Sequence, residues 1–464
     1  MKVILKNLGV LESAKYELGD LTVVCGKNNT GKTLAAYTLY GFLDYWRNKY
    51  DFRLDSMLVK EIKRKQEVRI ARKQIQPLFS KNLELAYKKY VTDYLPKVLG
   101  MPPEQLRDCS FRLDIRWIHS QSLFMKSKTF RWIPPEHGSY IIKTDNEGKN
   151  VRIFQEKEYI PQEFLVDSVQ NLANFTSSEI IPCVSMTNAD RIDAGLFSEE
   201  IGYIRNNRYQ QNNLVFQPLI KDLLSAENGF NTENDLNMIR DFLQKPLLEK
   251  TELQIIFDKL LNGSFEFRHH KLHFTPFRTG NLPLSLGESS SSVRSLLPIW
   301  LQLYSCTSLR ETPITMFMID EPEMNLHPAN QRILARIFAR LVNQGYKVYI
   351  TTHSDYIVKE LNTLIMLHQR NRNNNRVMKR YGYSEEEILD PAKVRVYTTQ
   401  QVPFSKTEIK TRTKTKVKKT ITDLAFPKYI FVQAKIDELG IYLPTFDETI
   451  NEMNTIQDEI LAGG

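Results

Sequence analysis

Eight consecutive residues, Gly26-Lys27-Asn28-Asn29-Thr30-Gly31-Lys32-Thr33, satisfy G-x-x-x-x-G-K-[ST] in full. The spacing has a mechanical reading. Gly26 and Gly31 let the backbone curl so that the N–H groups of Lys27, Asn28, Asn29 and Thr30 point inward at a polyphosphate. Lys32 then reaches the β- and γ-phosphates, and the Thr33 hydroxyl takes a Mg2+ position. Far downstream, the apolar run Ile314–Ile319 ends in two adjacent carboxylates, Asp320 and Glu321. There Asp320 would hold Mg2+ through water, and Glu321 would orient and activate an attacking water. A third element, Lys347–Thr352, delivers His353 at its end, where a γ-phosphate could be sensed. Each feature alone has a blander reading: a chance glycine turn, an exposed acidic strand end, a structural histidine. Together they imply ATP and Mg2+ as cofactors and hydrolysis as the chemistry.

These residues need elements to position them. Leu21–Cys25 reads as a buried strand running straight into the phosphate loop, and apolar spacing from Lys32 to about Trp46 reads as a helix whose positive end faces the same anion. Residues 284–368 alternate strand and helix, which predicts a parallel α/β sheet. Ligands bind at the C-terminal ends of such strands, where all three groups fall. Asn-rich Asn371–Asn375 reads as a loop, and strands are expected near Val394–Thr398 and Ile409–Val417.

The chain has 464 residues, 42% hydrophobic and 25% charged, which excludes wholesale disorder and predicts two or three domains. The apolar stretch Leu296–Tyr304 is broken by Pro298 and Gln302, far short of the roughly 20 residues a bilayer requires. Cys25, Cys109, Cys183 and Cys306 have no metal-ligand spacing, so a reducing, cytoplasmic setting is expected, with no membrane partner. The net charge of +9 is segmental. Arg47–Lys97 carries fourteen basic and six acidic residues, and Ser405–Lys419 carries seven and one. Lys60, Lys63, Arg64, Arg69, Arg72 and Lys73 are expected on one helix, with Leu58, Ile62, Ile70 and Ile75 inward. Such segments suit nucleic acid or an acidic protein through counterion release; a merely solvated face is the alternative.

Gly26–Thr33, the run Ile319-Asp320-Glu321-Pro322-Glu323 with Asn325-Leu326-His327-Pro328, and Thr351-Thr352-His353-Ser354 resemble the ABC-type ATPases of the SMC and OLD lineage. More narrowly, they resemble ATPase subunits of bacterial anti-phage systems such as PARIS and Septu. The resemblance implies an α/β fold: an ABC-type P-loop ATPase domain with a large helical and strand-rich insertion and an α+β C-terminal extension. It also implies a D-loop at Asn325 and His327 and a signature loop within Ser285–Arg294. In one register Ser285 and Gly287 form S-x-G-E; in the other Ser290, Ser291 and Ser292 occupy the loop; a flexible serine-rich linker is the plain alternative. Because such sites pair one subunit's phosphate loop with another's signature loop, a homo-oligomer is expected, at least a dimer, with a hexamer as the larger option.

On this reading the segments are 1–45 and 180–370 for the two lobes of the nucleotide domain, 46–179 for a basic insertion, and 371–464 for an extension that serves as docking surface. No D-x-D and no H-N-H pattern occurs in the sequence. A nuclease partner is therefore expected on another polypeptide, of TOPRIM type or alternatively HNH type, with an acidic phage protein or nucleic acid as trigger. The rival expectation is a DNA-repair or chromosome-maintenance ATPase that acts on DNA itself.

Overall fold

The computed structural model describes residues 1–50, 68–115, 129–132, 140–144, 150–155, 182, 184–187, 252–268, 271–277, 282–308, 316–369, 371–402 and 427–443. β1 (Lys2–Leu8), β2 (Leu11–Glu17) and β3 (Leu21–Cys25) lead into α1 (Lys32–Asn48). After β4 (Val68–Ala71) come α2 (Arg72–Lys89) and α3 (Leu95–Leu99), then β5 (Ser110–Asp114), β6 (Thr129–Trp132), β7 (Tyr140–Thr144), β8 (Asn150–Gln155) and β9 (Val184–Thr187). α4 (Glu252–Leu261), β10 (Gly263–Arg268), β11 (Lys271–Pro276) and β12 (Leu284–Ser285) precede α5 (Ser291–Ser308). Next are β13 (Met316–Asp320), α6 (Pro328–Asn343), β14 (Lys347–Thr352), α7 (Asp355–Met366) and α8 (Arg372–Tyr381). β15 (Val394–Gln401) and β16 (Tyr429–Gln433) follow, then the small hairpin of β17 (Lys435–Asp437) and β18 (Gly440–Tyr442).

A nine-stranded sheet runs β5-β1-β2-β16-β15-β3-β14-β13-β9. Its centre, β15 to β9, is parallel throughout, and β5-β1-β2 is antiparallel. All five residues of β3 are buried, as a central parallel strand covered on both faces demands. Its side chains divide with the period of a strand. Leu21, Val23 and Cys25 join the apolar cluster under α4–α7, and Val24 joins the one under α1 and α2. Cys25 stands opposite Thr352, and Asp320 opposite Thr351. This register brings the phosphate loop, the acid pair and His353 to one edge of the sheet. β14 lies between the phosphate-loop strand and the acid strand, so the histidine is delivered between the other two groups. The α/β fold class expected of an ABC-type P-loop ATPase is the one observed.

Local chemistry explains the helix starts near the site. His327 caps α6 by accepting from Ala329 N, with Pro328 at the first helical position, where its missing N–H costs nothing. Ser354 caps α7 by accepting from Ile357 N. The two helices are clamped together by buried Glu360 of α7, which accepts from Nε of Arg332 and of Arg336 on α6 at 2.6 Å each.

Three expectations are corrected. Residues 371–464 are not wholly an extension: β15 pairs in parallel with β3, and β16 joins β15 to β2, so this part completes the central sheet. Residues 371–375 are not a loop, because Asn371 accepts from Asn374 N and starts α8, the N-cap role for which asparagine is favoured. Arg69 and Ile70 are not on a helix. Val68–Ala71 pairs with β8 in a four-stranded sheet β4-β8-β7-β6, where β-branched Val68 and Ile70 are at home. Lys60, Lys63, Arg64 and the basic stretch 405–419 lie outside the described residues, as does the strand expected over 409–417. Among the described residues, no helix is long and apolar enough to cross a membrane.

Candidate functional site

The phosphate loop takes its shape from two glycines. Gly26 has φ 137° and Gly31 φ 92°, conformations that L side chains rarely adopt. Space is closed there as well: a Cβ on Gly26 would lie 2.4 Å from Thr399 Oγ1, and one on Gly31 would lie 2.5 Å from Leu11 Cγ. Thr399 on β15 donates to Thr30 Oγ1 at 2.9 Å, and Thr30 donates to Lys27 O at 2.8 Å, bracing the loop from the neighbouring strand. Gly31→Ala is expected to lower nucleotide affinity about tenfold through strain of order 1–3 kcal/mol, read by titration with a fluorescent ATP analogue. Wild-type affinity would show that the loop tolerates a Cβ there.

Lys32 donates to Gly26 O at 3.0 Å and Lys27 O at 2.7 Å. Burial holds its ammonium below lysine's ordinary value, against the pull of Glu321 and Asp320. Thr33 Oγ1 lies 3.2 Å from both carboxylate oxygens of Asp320, and Thr351 Oγ1 also donates to Asp320 Oδ1. The two residues expected to hold Mg2+ are therefore adjacent. Hard oxygen donors from one hydroxyl and one carboxylate suit Mg2+, which keeps waters and takes phosphate oxygens for its other positions.

Glu321 begins the turn after β13 at φ 47°, a left-handed conformation costing a non-glycine residue about 1 kcal/mol or more. Its N–H donates to Thr351 O at 3.1 Å and Thr351 Oγ1 at 3.2 Å. Its Oε1 lies 2.9 Å from His353 Nε2. A carboxylate oxygen only accepts, so the ring presents Nε2–H to it. Glu323 Oε1 accepts from His353 N at 2.5 Å. Burial raises the Glu323 carboxyl above the usual carboxylate range, and the His353 N–H pulls it back. A cavity of about 660 Å³ is lined by Asn28 to Thr33 together with Glu321, Glu323 and His353. That volume falls within the ordinary range for small-molecule sites.

The remaining expected residues stand apart. Ser285 to Ser289 form a tight turn: Glu288 N donates to Ser285 O at 3.1 Å, and Glu288 Oε2 accepts from Ser285 N and Oγ at 2.9 and 2.8 Å. The turn therefore comprises Ser285 and Gly287 in the S-x-G-E register. Ser290 Oγ accepts from Val293 N at 3.4 Å, and Ser291 and Ser292 are the first residues of α5, so the three serines stand where the turn passes into the helix. Among the described residues, none of Ser285–Ser292 lines the cavity beside the phosphate loop. Asn325 is exposed at φ 61° in the turn, and His327 is exposed as the cap of α6.

Four residues that the sequence reading left without a role contribute here: Thr351, Glu323, Thr399 and Gln331. The signal for Thr351 was partial: it belongs to the readable strand before His353, while its place beside Asp320 comes from the pairing of β14 with β13. Thr399 had none, because only the sheet order brings β15 beside β3.

No curated protein matches the chain. Among solved structures, it is similar to an SmcHead bound to the C-winged helix domain of ScpA, at 12% identity and a TM-score of 0.34, over 77% of this chain and 90% of that one. It is similar to the SMC head domain from Thermotoga maritima at 10% identity and a TM-score of 0.28, over 77% and 90%. A third, the Smc head domain with an extended coiled coil bound to the C-terminal domain of ScpA derived from Pyrococcus furiosus, gives 9% identity and a TM-score of 0.34 over 98% of each chain. Residues 1–358 match the AAA ATPase domain family, from β1 through the phosphate loop and the acid pair to His353 and the start of α7, and the chain belongs to that family.

Proposed function

We propose that this chain is a Mg2+-dependent ATPase that serves as sensor and scaffold of a two-component anti-phage system, holding a separate nuclease and releasing it when a phage trigger is recognised. The observation that carries the ATPase reading is one cavity lined by Lys32 and Thr33 of the phosphate loop together with the Glu321–His353 pair. Lys32 turns its ammonium from the loop carbonyls to the β- and γ-phosphate oxygens. The loop amides of Lys27 to Thr30 hold the phosphates in place. Thr33 and Asp320 would hold Mg2+, whose charge would offset that of the phosphates. Glu321 orients a water in line with the γ-phosphorus and accepts its proton, while His353, whose Nε2–H lies on the Glu321 carboxylate, turns that N–H to the γ-phosphate when ATP binds.

The anti-phage role is supported by the resemblance of the phosphate loop, acid turn and histidine segment to ATPases of that kind. The turn at Ser285–Ser289 and the single G-x-x-x-x-G-K-T motif of the sequence fit a site completed by a second copy, and hence a homo-oligomer. A second reading, an SMC-type ATPase acting directly on DNA, is favoured by the basic segments at 47–97 and 405–419. Purification of the tagged chain from its native host, with ATP present, separates the two. Co-purification of a TOPRIM or HNH nuclease that dissociates on infection supports the scaffold. Tight, salt-sensitive DNA binding by the isolated chain, with no nuclease recovered, supports the SMC-type reading and overturns the first.

A further inference from the structure

We propose that Gln331 is a positioning residue that ties the turn carrying Glu321 to the strand end carrying His353. The inference rests on the ATPase reading of those two residues and adds a part that the reading lacks. Gln331 lies in the first turn of α6, and its amide spans two loops. Nε2 donates to Leu326 O at 2.8 Å, within the turn that begins at Glu321. Oε1 accepts from Ser354 Oγ at 2.5 Å, one residue past His353.

Chemistry fixes which way the amide points. The Leu326 carbonyl can only accept, so it must face the NH2 group. Ser354 Oγ already accepts from Ile357 N at 3.1 Å as the cap of α7, so its own proton is available to the amide oxygen. A flipped amide would oppose two acceptors and lose the bond to Leu326.

The support of this bridge is rigid. Glu360 binds both Arg332 and Arg336, so the α6 backbone beneath Gln331 is locked to α7. The turn is also touched from a third side: buried Ser295 of α5 shares its single hydroxyl proton between Ser292 O at 3.0 Å and Met324 O at 3.1 Å. A continuous path therefore runs from α5, the helix that follows the Ser285–Ser289 turn, through Met324 and Leu326 to Gln331, Ser354 and His353. Glu321, in a left-handed conformation at the head of this turn, and His353, beside the Ser354 cap, meet at 2.9 Å. Their separation depends on the two loops being fixed to one another, and Gln331 fixes them by side-chain bonds at a distance from the reacting atoms.

The test compares Gln331→Ala, Gln331→Glu and Ser295→Ala in the full chain, using ATP turnover and hydrogen–deuterium exchange. Gln331→Ala should lower kcat about tenfold, because both hydrogen bonds that hold the two loops in register are lost, while KM for ATP stays at the wild-type value. Amides of 321–327 and 353–357 should exchange faster together, with the interior of α6 unchanged. Gln331→Glu keeps an acceptor for Ser354 but sets an oxygen against Leu326 O, so only 321–327 should loosen. Ser295→Ala should loosen the same turn from the α5 side. Wild-type kcat in Gln331→Ala, or faster exchange spread along the whole of α6, would overturn the proposal. If the wild-type chain hydrolyses no ATP, the functional reading fails, and the paired or unpaired loosening of the two segments still decides whether Gln331 ties them.

Discussion

Lys32→Ala is expected to remove ATP hydrolysis, with turnover down about a thousandfold, the scale of losing a positioned charge from a phosphoryl-transfer site. Lys32 is placed to do this because it lies at the head of α1 with its ammonium already inside the loop, on Gly26 O and Lys27 O. Its removal should not unfold the protein. The ammonium is costly to bury, as its lowered pKa records, so the alanine variant should melt at or above the wild-type temperature without nucleotide. A lysine whose ammonium is disfavoured on folding binds fewer protons in the folded state than in the unfolded one. Wild-type stability therefore rises with pH in the interval below 10.5, and the variant should lack that rise. The measurements are phosphate release, nucleotide affinity and a melting curve against pH. Wild-type turnover in Lys32→Ala would refute the site.

The site was largely legible in the sequence because its parts are local. Gly26–Thr33 needs only its own backbone to make a phosphate loop, and Asp320-Glu321 and His353 each end a short apolar run that can only be a buried strand. Parallel pairing then brings those ends to one edge without further instruction. What the sequence did not show depends on long-range order. Nothing local tells Val394–Gln401 to pair with β3, so the strand that braces the phosphate loop through Thr399 read as part of an extension. The basic segment misled for a related reason. Val68-Arg69-Ile70 fits a helical spacing as well as an alternating one, and the partner strand that decides between them begins at Asn150, outside any local window. The serine run at 290–292 was ambiguous because serine suits both a loop and the first turn of a helix. In the structure Ser290 accepts from Val293 N at the start of α5, so the run straddles the turn and the helix.

Glu321→Gln separates binding from chemistry more cleanly than any other change. The amide has the size and shape of the carboxylate, and its oxygen still accepts the His353 Nε2–H that now lies 2.9 Å from Glu321 Oε1. Only basicity is lost, and with it a factor of about 10²–10⁴ in rate if this group takes the proton of the attacking water. ATP affinity should therefore match wild type while phosphate release falls, and ATP-loaded protein should accumulate. If a second copy completes the site, the trapped variant should elute as a larger assembly than wild type in ATP and at the same size in ADP. The neighbouring carboxylate is a poor substitute for the missing base. Glu323 Oε1 is occupied by the His353 N–H, and burial favours its protonated form. Glu323→Gln should accordingly keep much of its turnover, losing only what the altered hold on His353 costs. Wild-type turnover in Glu321→Gln, combined with complete loss in Glu323→Gln, would reverse the two roles and make the buried carboxylate the base.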